Sequence, residues 1–162
     1  MKYDFVIEPL SKRHNRENFD CGEESLNEFL RKYARQNSEK GFGRTFVAVL
    51  PKEREVCGYY TLSSGSFSFE IVPEKLPRYP IPTAHLGRLA VDLKMRGKRL
   101  GEMLLIDALR RTVLVAEDVG IYAIELYALT DTAKKFYLKY GFIELKDNAH
   151  HLYLPVETLK KS

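Results

Sequence analysis

The order of apolar patterns along the chain predicts an α/β fold, with a mixed β-sheet and helices on both faces. Short runs rich in Val, Ile, Tyr and Phe alternate with three stretches that have helical spacing. Runs joined by short polar turns should pair antiparallel. With 162 residues, 44% of them hydrophobic, one domain spanning residues 1–162 can bury about two-thirds of its unfolded surface in a single core. Neither a disulfide nor a metal is needed to explain folding.

Each element follows from its own stretch. "YDFVIEPL" reads as a first strand. In "EESLNEFLRKYARQNSEKG", Leu26, Phe29, Leu30, Tyr33 and Ala34 recur at i, i+3, i+4, i+7 and i+8, while Glu24, Glu28, Arg31, Lys32 and Arg35 lie elsewhere on the wheel, so an amphipathic helix is expected. "RTFVAVLP" and "EVCGYYTLSSGSFSF" flank a polar turn at Lys52 to Arg54 and should form an antiparallel hairpin. Four prolines between Val72 and Pro82 mark an irregular surface crossing. A central strand, "HLGRLAVDL", leads through a glycine-containing loop into a helix from Leu100, with Leu105, Ala108, Leu109, Thr112, Val113 and Ala116 on its apolar stripe. "IYAIELYAL" suits a strand buried on both faces. "TDTAKKFYLKYG" is a short helix capped by Thr130 or Asp131 and closed by Gly141 at C′. "FIELK" and "HHLYLPV" make a terminal hairpin around Asp147 and Asn148, with His150 and His151 pointing to opposite faces of its second strand.

Composition excludes several classes. Cys21 and Cys57 are far apart and form no paired metal or redox motif, and His14, His85, His150 and His151 have no ligand spacing, so no metal is expected. No apolar run reaches the roughly 20 residues of a membrane span, and "MKYDFVIEPL" lacks a signal peptide's apolar region, which points to the cytoplasm and to no membrane partner. The net charge of +4 allows a nucleic acid or an anionic cofactor without requiring one.

The most informative stretch is "MRGKRLGEMLLIDALRR", Met95 to Arg111. Unpaired backbone N–H groups at a helix start can bind a pyrophosphate, Gly97 and Gly101 allow close approach, and Arg96, Lys98 and Arg99 add positive charge. The same residues also fit a solvated basic turn. Arg99 stands where such a cradle usually has another glycine, and a cradle therefore requires its side chain to point outward.

Read together, "LGRLAVDLKMRGKRLGEMLLIDAL" and "ALTDTAKKFYLKYGF" resemble the GNAT acyltransferase superfamily, with its R/Q-x-x-G-x-G/A loop and late A-x-x-F-Y-x-x-x-G-F helix. Arg96 and Gly101 match the ends of the loop motif and Arg99 replaces its inner glycine. The resemblance implies a sheet splayed to admit CoA, with acetyl-CoA as co-substrate. The loop from Arg96 through Gly97, Lys98, Arg99 and Leu100 to Gly101 would hold its pyrophosphate, the backbone of Leu89, Ala90 and Val91 its pantetheine arm, and the motif helix around Phe136 would border it. "LSKRHNRENFDCGEESLNEFLRKYARQN", "CGYYTLSSGS" and "PIPTAHLGRLAVD" further resemble the conserved blocks of GNAT-type toxins from bacterial toxin-antitoxin modules. Those toxins acetylate the α-amino group of aminoacyl-tRNA, are typically neutralised by a ribbon-helix-helix antitoxin, and are often homodimers.

The same resemblance gives Tyr137 the part of general acid toward the departing CoA sulfur, a task within reach of a phenol. Its spacing with Ala133, Phe136 and Tyr140 equally fits a core stripe. No general base stands out: Glu125 and the carboxylates of the first helix read as surface or strand-edge charges. An α-amino group, with a pKa of about 7.7 to 8.0, is partly neutral without one, whereas a lysine is not. Arg31, Lys32, Arg35 and Arg88 are candidate contacts to an RNA backbone, and each also reads as a solvated charge. A GNAT enzyme acting on a protein N-terminus or small amine, and a CoA-binding module without turnover, are the competing functions.

Overall fold

The computed structural model describes residues 4–160. Its seven strands are β1 (Val6–Pro9), β2 (Arg44–Val49), β3 (Gly58–Phe67), β4 (Ile81–Val91), β5 (Ala123–Tyr127), β6 (Ile143–Glu144) and β7 (His151–Pro155). They follow the order β1-β2-β3-β4-β5-β7-β6 in one mixed sheet, as the α/β reading expects. β1–β2, β2–β3, β5–β7 and β6–β7 pair antiparallel, while β4 and β5 run parallel. Among the described residues, no helix is long and apolar enough to cross a membrane. The chain groups into two compact units, Met1–Ser63 with Arg88–Ala108, and Ser64–Gly87 with Leu109–Ser162.

In the first unit the amphipathic segment forms α1 (Glu24–Glu28), a π turn (Phe29–Tyr33) and α2 (Ala34–Lys40) in succession. The π turn is absent from the sequence reading. Ala34 N–H donates to Phe29 O, an i+5 bond, which inserts one residue into the helical repeat. Phe29, Leu30 and Ala34 stay buried, but Tyr33, expected on the same stripe, is turned out and 50% exposed. The buried stripe packs with Phe19, Val47, Val56, Tyr59 and Ala90. Gly58 is needed beside this core, because a Cβ there would lie 3.0 Å from both Ala90 O and Leu104 Cδ1. α3 (Leu100–Val115) begins in this unit, and its most buried residues are Leu100, Leu104, Leu105, Ala108 and Thr112, so Leu104 belongs to the stripe as well.

The second unit packs Phe67, Val72, Ile81, Ala123, Leu145 and Tyr153 together. β4 starts at Ile81, four residues before the expected strand, so Pro82 is inside it. Proline is tolerated there because it stands at the start of the strand, and its carbonyl still accepts from Tyr122 N–H at 2.9 Å. α4 (Asp131–Lys139) starts at the Thr130 cap, whose hydroxyl accepts from Ala133 N–H at 3.1 Å, and stops where Gly141 takes a φ of 94° at C′. His150 falls in the turn before β7 rather than on the strand, so the two-faced histidine pair is not formed. A last helix, α5 (Val156–Lys160), has no counterpart in the sequence reading.

Candidate active site

The glycine-containing loop begins after a short 3-10 turn, Leu93–Met95, which is capped by the buried Asp92. Asp92 accepts from Lys94 N–H at 2.9 Å and from Asp20 N–H at 3.1 Å. Gly97 has a φ of 80° and Arg99 a φ of 62°. Arg99 thus takes a left-handed backbone that glycine adopts freely, at a cost in strain of about 1 to 2 kcal/mol. Its carbonyl accepts from Met103 N–H at 3.1 Å, which makes it the first acceptor of α3. The N–H groups of Leu100, Gly101 and Glu102 then have no partner within the helix and point out of its start. The Arg99 side chain is 78% exposed and pairs with Glu102 at 3.0 Å, directed away from its own backbone turn. Arg96 donates to Cys21 O at 3.1 Å, so its guanidinium braces the loop.

Leu89, Ala90 and Val91 occupy the end of β4. The β4–β5 ladder covers Thr83↔Ala123, Ala84↔Ile124 and His85↔Glu125, and these three residues lie beyond its last rung. On α4, Tyr137 is 8% exposed and packs edge to face against Phe136 at 5.2 Å and Phe142 at 5.5 Å. Burial raises its pKa above the ordinary tyrosine value, so the phenol holds its proton. Phe136 is half-buried and also meets Tyr140 at 5.2 Å.

Glu125 is not a surface or strand-edge charge. It is 4% exposed on β5, between two histidines: His85 Nδ1 lies 2.6 Å from its Oε1 and His151 Nε2 lies 2.7 Å from its Oε2. His151 Nδ1 in turn is 3.0 Å from Asp147, and Tyr127 stacks on its ring at 4.0 Å. Burial pushes the Glu125 carboxyl up, but hydrogen bonds and charge from His85 and His151 outweigh this and hold it below the ordinary glutamate value. A folded-state pKa that is depressed contributes stability above the unfolded-state value near 4.3, and that contribution is lost as pH falls through the folded one. Glu125→Gln is therefore expected to lower Tm at pH 7 and to flatten the acid limb between about pH 5 and 3, read by thermal melts across that range.

The basic candidates separate into two kinds. Arg31 pairs with Glu24 at 2.7 Å and also donates to Phe19 O, Lys32 faces Glu28 at 3.8 Å, and Arg35 pairs with Glu39 at 3.3 Å. Arg88 instead lies flat over Phe29, 3.5 Å from the ring centroid. An open pocket of about 300 Å³ is lined there by Ser25, Glu28, Phe29, Tyr33, Asn37 and Arg88.

Over residues 17–155 the chain matches the acetyltransferase (GNAT) domain family. It is 40% identical over 139 residues to the tRNA-acetylating toxin of Mycobacterium tuberculosis (strain ATCC 25618 / H37Rv), covering 84% of this chain and 82% of that protein. Among solved structures, AtaT complexed with acetyl-methionyl-tRNAfMet is similar with a TM-score of 0.92 at 32% identity, covering 98% of both chains. A tyrosine-to-phenylalanine mutant of the AtaT toxin, bound to the C-terminus of the antitoxin AtaR and acetyl-CoA, is similar with a TM-score of 0.85 at 31% identity, covering 98% of this chain and 97% of that one.

Proposed function

Because the chain belongs to the GNAT acetyltransferases, we propose that it uses acetyl-CoA to acetylate the α-amino group of aminoacyl-tRNA and thereby stops translation. The observation with most weight is the similarity in fold, over nearly the whole length of both chains, to AtaT complexed with acetyl-methionyl-tRNAfMet, joined by the 40% identity to a tRNA-acetylating toxin. In this reading the loop from Arg96 to Gly101 binds the CoA pyrophosphate mainly through its backbone N–H groups at the positive end of α3, and Leu89 to Val91 offer β4 backbone to the pantetheine arm. Tyr137 protonates the departing sulfur. The protein acts in the cytoplasm as a homodimer, and a ribbon-helix-helix antitoxin neutralises it. The test is transfer of labelled acetyl from acetyl-CoA to charged tRNA, with deacylated tRNA and an N-terminal peptide alongside. Labelling of the peptide but not of charged tRNA would overturn the reading.

Two substitutions examine the ligand contacts. Arg99→Gly is expected to keep acetyl-CoA affinity and to hold stability within about 1 kcal/mol, because relief of left-handed strain offsets glycine's larger unfolded-state entropy. Arg99→Val, β-branched and unfit for a φ of 62°, is expected to weaken acetyl-CoA binding about tenfold by calorimetry. Replacing Arg31, Lys32 and Arg35 together is expected to weaken tRNA binding while leaving acetyl-CoA affinity alone, and to make the plot of log K against log salt shallower. Equal slopes for the variant and wild type would mean that the carboxylates beside these residues already satisfy them.

A further inference from the structure

We propose that His85 is the base that takes the proton from the acceptor amine, and that the buried Glu125 is a positioning residue that fixes its orientation. The inference rests on the acetyltransferase reading above and adds the proton acceptor that reading lacks. Three observations support it.

The first is place. His85↔Glu125 is the last rung of the parallel β4–β5 ladder, although β4 runs on to Val91 and β5 to Tyr127. The second is asymmetry. The carboxylate is buried, with 5% of its side chain exposed, whereas the imidazole bonded to it is 30% exposed. A pair serving the core alone would be covered on both sides. Glu125 Oε1 accepts from His85 Nδ1–H, so in the neutral ring the lone pair is on Nε2. On its far side Glu125 is held through Oε2 by His151, itself anchored by Asp147, so the carboxylate cannot turn away. These are the titratable groups that face the pair, from β5, β7 and the turn before β7.

The third observation is an unsatisfied hydroxyl on the same strand face. Thr83 shares its strand face with His85 and is 2% exposed, and its Oγ1 has no hydrogen-bond partner among the described residues. Buried hydroxyls are nearly always satisfied, so this one suits a polar group from outside the chain. Gly65 lets the β3 backbone pack close against this face, where any side chain would collide. A Cβ at that position would lie 2.9 Å from Thr83 Oγ1, 3.2 Å from Glu125 Oε1 and 3.3 Å from His85 Cβ.

The step balances. The amine nitrogen forms the new C–N bond at the thioester carbonyl and gives its proton to His85 Nε2. The C–S bond breaks with its electron pair on sulfur, which takes the Tyr137 proton. His85 and Tyr137 then reset by proton exchange with solvent.

The experiment compares the full-length wild type with His85→Ala, His85→Gln and Glu125→Gln. Single-turnover transfer is measured to charged tRNA and, separately, to methionine methyl ester, with acetyl-CoA affinity determined on the same samples. His85→Ala is expected to lose about 10²-fold in rate with affinity unchanged, and added imidazole is expected to restore part of the rate. ¹⁵N NMR of the neutral wild type is expected to show the His85 proton on Nδ1, and Glu125→Gln to mix the two tautomers. Wild-type rates in His85→Ala, a loss that imidazole does not restore, or an Nε2–H tautomer in the wild type would overturn the proposal. A wild type that acetylates the ester but no charged tRNA would overturn the substrate reading and leave the His85 result standing.

Discussion

Tyr137→Phe is expected to preserve the fold and acetyl-CoA affinity while slowing acetyl transfer by about 10²- to 10⁴-fold, or roughly 3 to 5 kcal/mol of barrier. The ring's edge-to-face contacts with Phe136 and Phe142 survive the change, so α4 keeps its packing. Only the oxygen is lost. Burial keeps this phenol protonated, which is the state an acid must have when negative charge develops on sulfur. A residue serving the core alone makes a different forecast, with about 1 to 2 kcal/mol lost in stability and no change in rate. Melting temperature, acetyl-CoA affinity and single-turnover acetylation on the same preparations separate the two. A phenylalanine variant with wild-type turnover would remove Tyr137 from the chemistry.

The largest expected loss of stability is at Tyr59, which is fully buried on β3 and meets Phe19 at 5.6 Å and Phe29 at 6.4 Å, both edge to face. Its hydroxyl donates to Leu26 O at 2.7 Å, tying β3 to α1. Tyr59→Ala removes the ring from a site with little freedom to collapse and is expected to cost about 3 to 5 kcal/mol. Tyr59→Phe isolates the hydrogen bond and is expected to cost about 1 to 2 kcal/mol, because Leu26 O then lacks its donor. Denaturant unfolding with m held constant checks both values. If the two variants cost the same, the hydroxyl rather than the ring would dominate.

Much of this was legible because it is local. Thr130 and Gly141 bracket α4 by the chemistry of caps, and the antiparallel pairing of β2 with β3 followed from two β-rich runs around a polar turn. The exposed side chain of Arg99 was legible because it stands in a glycine's place, while its left-handed backbone was not. What escaped notice depends on residues distant in sequence. Glu125 sits 40 residues from His85 and 26 from His151, and no periodicity joins positions on three different strands. In isolation, a glutamate in "IYAIELYAL" looks like an edge charge, and only the register of β5 with β4 and β7 puts it between two imidazoles. The buried Asn27 escaped for a different reason: its bonds to Cys21 N–H and Asp20 are local but irregular, closing the turn before α1 with no periodic pattern to mark them.

The π turn in the first helix has a consequence for chain length. One hydrogen bond, from Ala34 N–H to Phe29 O, spans five residues where an α-helix spans four. Removing Lys32 or Tyr33 would convert it into an ordinary helical bond between the same two groups, with Phe29 and Ala34 still on one face. The helix is thus poised between two lengths and holds its buried side through either. In most helices a deletion rotates every later side chain away from the core; here it would straighten a turn, and a shortened segment between Phe29 and Ala34 should be as foldable as the present one.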